Sequence, residues 1–334
     1  MGKKERNCYA ILGLLSKSDR PLHSRRLAEL LGEAGYGLSE RSVRLYLKDL
    51  DARGLTESHG RRGRTITEQG IAELRAAQTV ERVGYLSARI DQLTYGMTFD
   101  LVTRNGLVVV NTSLVNPRQL HAYVDDVCRV FSGGFAMGSL LAILGPGETI
   151  GDVTIPKDKI GFCTVCSITL NGVLLKHGIP TASIFGGLLE LREGRGTRFL
   201  EIIHYDGTSI DPLEVFIRSG MTDYHGAIAT GNGRIGASFR ELPEGSRDAV
   251  MNLANRLEAI GMGGFMEIGS ADQQVLGVQP SRGRIGSVVI GGLNPIAILE
   301  ETDHRVVSRA LAGLMDYNRL IHFDELPTTL ERYL

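Results

Sequence analysis

A chain of 334 residues, 43% apolar and 22% charged, has room for about two globular domains with cores of their own. No apolar run approaches the ~18 residues of a membrane helix, and the opening MGKKERN has no apolar signal core, which excludes a membrane span and a secretory signal and points to the cytoplasm. The formal net charge of −1 conceals an asymmetry: residues 1–80 carry 15 Lys plus Arg against 10 Asp plus Glu, the rest 22 against 28, so only the N-terminal part suits a polyanion.

Residues 6–17 (RNCYAILGLLSK) form an amphipathic helix, with Tyr9, Ile11, Leu12, Leu14 and Leu15 supplying core surface and Cys8 a buried apolar position. Asp19, Arg20 and Pro21 break the chain before a second helix, 24–31, whose apolar face is Leu27, Leu30 and Leu31. The turn GEAGYG (32–37) leads to Ser39, an N-cap opening a run without Gly or Pro until Gly54. At 3.6 residues per turn, Val43, Tyr46, Leu47 and Leu50 share one face of this third helix, while Arg41, Arg44 and Lys48 lie nearly opposite. A strand (55–58), a turn HGRRGR (59–64) and a second strand (65–67) follow, then a helix from 67–70 to about 77.

A basic stripe alone is usually a solvated face, and so is a basic hairpin tip. Together, behind a helix and a tight turn, they make a winged helix-turn-helix over residues 1–78, one element for the major groove and one for the backbone. The candidate DNA contacts are Ser39, Arg41, Ser42, Arg44, Lys48, Arg61, Arg62 and Arg64.

Residues 79–95 hold no Gly/Ser/Pro-rich linker, so a semi-rigid junction to a second domain, 79–325, is expected. That domain contains an internal repeat. Gly96-Met-Thr98 recurs at Gly220-Met-Thr222, Thr103-Arg-Asn-Gly at Thr230-Gly-Asn-Gly, Gly133-Gly-Phe135 at Gly263-Gly-Phe265, and Lys159-Ile-Gly161 at Arg284-Ile-Gly286, in the same order. Two related lobes, about 82–205 and 206–320, follow from it. The first reads as strand 106–110, helix 118–131, strands 140–144 and 160–164, helix 167–177 and β-like segments 181–191 and 198–205; the second as strand 234–238, helix 247–260, strands 264–268 and 285–290, a helix from Pro295 and a last helix 304–317. The whole is a mixed α/β fold, a winged helix-turn-helix followed by an internally duplicated two-lobed domain.

The segment loaded with chemistry is Ile160-Gly-Phe-Cys163-Thr164-Val-Cys166-Ser167, a strand running into a helix start, where backbone N–H groups favour an anion and lower a thiol pKa. Its repeat counterpart runs through Gly291, Gly292 and Asn294 to Pro295, again strand, glycine turn and helix. Two such helix starts facing one cleft would suit a small carboxylate, and Cys163, Thr164, Cys166, Ser167, Gly291, Gly292 and Asn294 are the candidate effector contacts. Plain packing or redox sensing by the C-x-x-C pair are the alternatives; without a second pair, zinc is not supported. Eight scattered histidines, no Ser/His/Asp cluster and no Walker A pattern leave no case for an enzyme or a cofactor.

With the winged helix, GFCTVCSITLNG (161–172) and PTASIFGGLLEL (180–191), the chain resembles the NrpR family of nitrogen-regulation repressors over its whole length. The resemblance implies a winged helix-turn-helix and one regulatory domain where some members carry two. It also implies repression of nitrogen-assimilation genes by a homodimer or tetramer on palindromic double-stranded operators, and release by 2-oxoglutarate.

Overall fold

The computed structural model describes residues 3–81 and 85–334. They fall into two compact units, Met1–Val83 and Gly84–Leu334; the junction expected to be semi-rigid includes 82–84, outside the described residues.

The first unit contains α1 (Lys3–Ser16), α2 (Ser24–Glu33), α3 (Glu40–Ala52), β1 (Thr56–Ser58), β2 (Arg64–Ile66) and α4 (Glu68–Glu81). Ile11 and Leu12 of α1, Leu27 and Leu31 of α2, and Val43, Leu47 and Leu50 of α3 are fully buried in one cluster. Each such side chain is worth about 1.5–3 kcal/mol, against about 1 kcal/mol for the Ser39 cap, whose Oγ accepts from the Ser42 N–H. Packing therefore sets the pose of α3 and the cap sets its first turn. β1 and β2 pair antiparallel, and Leu22 exchanges two backbone hydrogen bonds of 2.9 Å with Arg64, tying the segment before α2 to β2 of the wing.

The second unit opens with α5 (Tyr85–Gly96), which the sequence reading did not assign, then β3 (Leu107–Val115), α6 (Pro117–Ala122) and α7 (Val124–Ser132). The single helix expected over 118–131 is thus broken at Tyr123, which ends one piece and begins the next. β4 (Leu140–Leu144), the small hairpin β5 (Thr149–Ile150) and β6 (Val153–Thr154), β7 (Ile160–Val165), α8 (Ile168–Lys176), β8 (Ala182–Arg192) and β9 (Arg195–His204) complete the first repeat. The second runs α9 (Pro212–Arg218), α10 (Tyr224–Thr230), β10 (Gly233–Pro243), α11 (Arg247–Glu258), β11 (Phe265–Ile268), β12 (Arg284–Ile290), α12 (Ala297–Glu301) and β13 (Val307–Asp316), with β14 (Ile321–His322) and α13 (Leu326–Leu330) closing the chain.

These strands build two five-stranded antiparallel sheets, ordered β13-β3-β7-β4-β14 and β11-β12-β10-β8-β9. The order departs from contiguous lobes. β8 of the first repeat, with β9 on its outer edge, pairs with β10 of the second, and β13 of the second repeat returns to pair with β3 of the first, Val307 opposite Leu114 and Asp316 opposite Leu107. Each sheet thus carries a strand of the other repeat. β7 supplies Ile160 and Phe162 to one core cluster and Cys163 and Val165 to the other, so it is buried on both faces and reads as a continuous apolar run.

The expected last helix over 304–317 is instead β13. Its register shifts between Arg309 and Gly313, and Leu311 sits at φ +52. The bulge breaks the two-residue alternation, which leaves apolar spacings that mimic a helix.

Candidate functional site

On α3, Arg41, Arg44 and Lys48 are exposed and Ser42 is half-buried. Arg44 is not free: its Nε donates to Ser24 Oγ at 3.2 Å and its Nη2 to Glu40 Oε1. The Ser24 hydroxyl, first, and then Arg44 hold the Glu40 carboxyl below its usual range. At the wing tip Arg61 and Arg62 are exposed on a 3-10 turn between Gly60 and Gly63. Arg64 is placed differently from the other candidates. It is half-buried, and its Nε donates to Asp51 of α3 at 2.8 Å, so it braces the wing against the helix rather than standing ready for a phosphate. Among the described residues no ion pair engages Arg41, Lys48, Arg61 or Arg62, which leaves four available cations on two adjacent elements.

In the second unit the turns after β7 and after β12, counterparts in the repeat, meet. A Cβ on Gly292 would lie 2.4 Å from the Val165 carbonyl oxygen and 3.3 Å from Cys166 Cα, so this approach requires glycine. Around the junction is a cavity of about 20 Å³, room for one water, lined by Cys166, Ser167, Gly291 and Gly292 together with Asn111, Tyr205, Asp211, Ser238 and Ala310. The other three candidates are elsewhere. Cys163 is buried with its Sγ 3.0 Å from Thr112 Oγ1; Thr164 is buried in mid-strand; Asn294 braces the fold by donating to Phe135 O at 2.8 Å and Gly236 O at 2.9 Å.

The thiol expectation is corrected by the geometry. Burial pushes Cys163 up to about 11 and Cys166 up to about 12; the Ile168 N–H at the start of α8 does pull Cys166 down, but desolvation outweighs it. Both are inert thiols at neutral pH.

The charge beside the cavity comes from a residue that the sequence reading passed over. Arg240 of β10 is 1% exposed; its Nη1 donates to Ser167 O at 2.9 Å and to Asn171 Oδ1, while Nε and Nη2 have no partner. Burial lowers it to about 10, so it stays charged at neutral pH, and its charge acts on Tyr205 and Cys166 in the cavity wall. Asp211 caps α9 by accepting from Leu213 N–H at 2.9 Å and lines the same cavity; desolvation, then the neighbouring Glu214, raise its carboxyl to about 7. The bulge of β13 forms another wall, held by Asn111 Oδ1 on Leu311 N–H at 3.1 Å, Glu214 Oε1 on Ala310 N–H at 2.6 Å and Arg89 on the Leu311 carbonyl oxygen at 2.8 Å.

Residues 83–322 match the description "NrpR regulatory domains NRD1 and 2". The chain is 32% identical over 95% of its length to the global nitrogen regulator NrpRI of Methanosarcina mazei, covering 97% of that protein. The chain belongs to the NrpR family. Residues 9–74 also match a ribonuclease R winged-helix domain. The NrpR proteins of Methanococcus maripaludis and Methanocaldococcus jannaschii are 31% and 32% identical to it, and the chain spans about half their length, 54% and 53%. A crystal structure of a nitrogen repressor-like protein from Methanococcus jannaschii superposes with a TM-score of 0.59 at 26% identity, over 71% of this chain and 97% of that one.

Within this NrpR chain, two signals could have located the missed wall. Arg240 interrupts the apolar run of β10, GRIGASFRELP, and Asp211 before Pro212 is an N-cap followed by proline at N1. Among the described residues no group of three or more His, Cys, Asp or Glu is placed to hold a metal, and no helix is long and apolar enough to cross a membrane.

Proposed function

We propose that this chain is a non-enzymatic, DNA-binding repressor of nitrogen-assimilation genes, acting in the cytoplasm as a homodimer or tetramer on palindromic operators and released by 2-oxoglutarate. The relatives' names support nitrogen regulation, and the winged helix with its four available cations supports duplex DNA as the target. The observation that carries the effector half is Arg240: a buried guanidinium with two unpartnered nitrogens and no carboxylate bonded to it, beside a cavity at the meeting of two repeats. A buried cation left so is costly, and a carboxylate supplies the missing charge and acceptors through bidentate hydrogen bonds.

A 20 Å³ cavity does not hold a five-carbon dicarboxylate, so the ligand must separate the walls to enter. That requirement makes the ligand discriminate between conformations, which a switch needs; moving occupancy from 1:99 to 99:1 takes about 5.5 kcal/mol of differential affinity. The conformational change would alter the spacing of two winged helices across half-sites about 34–36 Å apart. Redox sensing is the weaker reading, because both thiols of the C-x-x-C pair are buried and protonated at neutral pH.

The test is a calorimetric titration with 2-oxoglutarate, glutamate and glutarate, followed by competition against bound operator DNA. Selective saturable heat and loss of DNA are expected. No heat with any of the three, with an unshifted melting temperature, sinks the effector assignment and leaves the DNA-binding half standing.

A further inference from the structure

Among the described residues of the first unit, Leu45 is the one large apolar side chain that is exposed, at 62%. It sits on α3 four residues after Arg41 and three before Lys48, so the three form one solvent-facing row, backing onto the buried row of Val43, Leu47 and Leu50. Its cationic neighbours differ in freedom. Arg44, beside it, is tied to Glu40 and Ser24, whereas Arg41 and Lys48 flank it without an ion pair among the described residues. A helix laid in the major groove with cations toward the phosphates brings the residue between them over the base edges. An apolar side chain there has one favourable target: the C5-methyl group of thymine, which distinguishes T·A from every other pair as seen from that groove.

We propose that Leu45 is a specificity-determining residue that contacts a thymine methyl in each operator half-site. The proposal rests on the DNA-binding reading above and adds to it the base that this helix selects. It assigns discrimination to Leu45 and electrostatic affinity to Arg41, Lys48, Arg61 and Arg62. It also accounts for a leucine left in water at the centre of a basic face, where every neighbouring exposed position carries a polar or charged side chain.

The test starts from duplexes selected by the full chain from a random library. Each thymine of the recovered half-site is then replaced by deoxyuridine, which removes the methyl and nothing else, and dissociation constants are measured for the wild type and for Leu45→Ala. At one thymine position the swap is expected to weaken the wild type about fourfold for each half-site that carries it, the worth of one methyl group removed from water, ~0.8 kcal/mol. Leu45→Ala is expected to bind the thymine duplex about fourfold more weakly per half-site than the wild type and to be indifferent to the swap, with an unchanged melting temperature because the side chain is exposed. Equal losses in both proteins, no loss in either, or a selected site without thymine overturn the Leu45 assignment while the salt-dependent binding of the wild type still upholds the DNA-binding reading. Recovery of no preferred duplex overturns both.

Discussion

Arg240 and Asp211 are unusual groups for a protein interior, and each acts on Tyr205 and Cys166: one is a guanidinium that keeps its charge, the other a carboxyl raised from 3.8 to about 7. Replacing a buried cation by an apolar chain of similar length is often neutral or stabilising. Arg240→Met is therefore expected to leave the melting temperature unchanged or a few degrees higher while weakening 2-oxoglutarate binding at least tenfold; a collapse of stability would assign Arg240 to the fold instead. Asp211 makes binding depend on pH. Its neighbours are Glu214, Tyr205 and Cys166, and a carboxylate ligand beside it favours its protonated form. Affinity is expected to be highest below pH 7 and to fall above it by up to about tenfold per unit, a dependence that Asp211→Asn abolishes in calorimetry across pH 6 to 8. For the unliganded protein the sign follows from a raised carboxyl. The stabilising contribution is complete below the ordinary value of 3.8 and is lost as pH rises toward about 7, so Asp211→Asn should flatten the melting temperature across that window.

The wing depends on Gly63 more than on its arginines. Gly63 has φ +112, and a Cβ there would lie 2.3 Å from the backbone of Leu22, so Gly63→Ala is expected to cost about 1–3 kcal/mol and to detach the hairpin, seen as a lower melting temperature and faster proteolysis within 59–64. Arg61→Ala should weaken DNA binding without changing stability, whereas Arg64→Ala, which loses the Asp51 brace, should change both. Among elements, the winged helix was legible because its signals are local: the Ser39 cap, the apolar rows and the arginine-bearing turn between two short strands. The central strands were legible through apolar runs and the repeat. What escaped was decided by distant partners. β13 follows a helical spacing until the bulge at Ala310 and its braces from Asn111, Glu214 and Arg89 are known, and the short α9 and α10 draw their order from caps such as Glu301, which accepts from Tyr224 N–H at 2.8 Å. The cavity was half legible. The two repeat-related turns could be read from the sequence, while the cation that makes the site chemically pointed comes from a strand between them.

At the scale of the whole chain, the exchange of β8 with β13 makes neither repeat self-sufficient. A fragment covering 84–205 keeps β7 beside β3 but lacks β13 on its other edge and leaves β8 with β9 alone, so it is expected to be insoluble or unfolded by circular dichroism, while 84–334 melts cooperatively. A soluble, cooperatively melting 84–205 would count against the exchange. The same exchange governs how the protein is made. Leu114 and Val307 are 193 residues apart (307 − 114), so at about 5–20 residues per second a ribosome exposes β3 roughly 10–40 s before β13, the partner of its second edge, exists. The winged helix, with its local contacts, can fold within that interval, whereas the nascent second unit waits with one edge of an apolar strand unpaired. Each newly made copy would therefore acquire its winged helix first and its duplicated domain last.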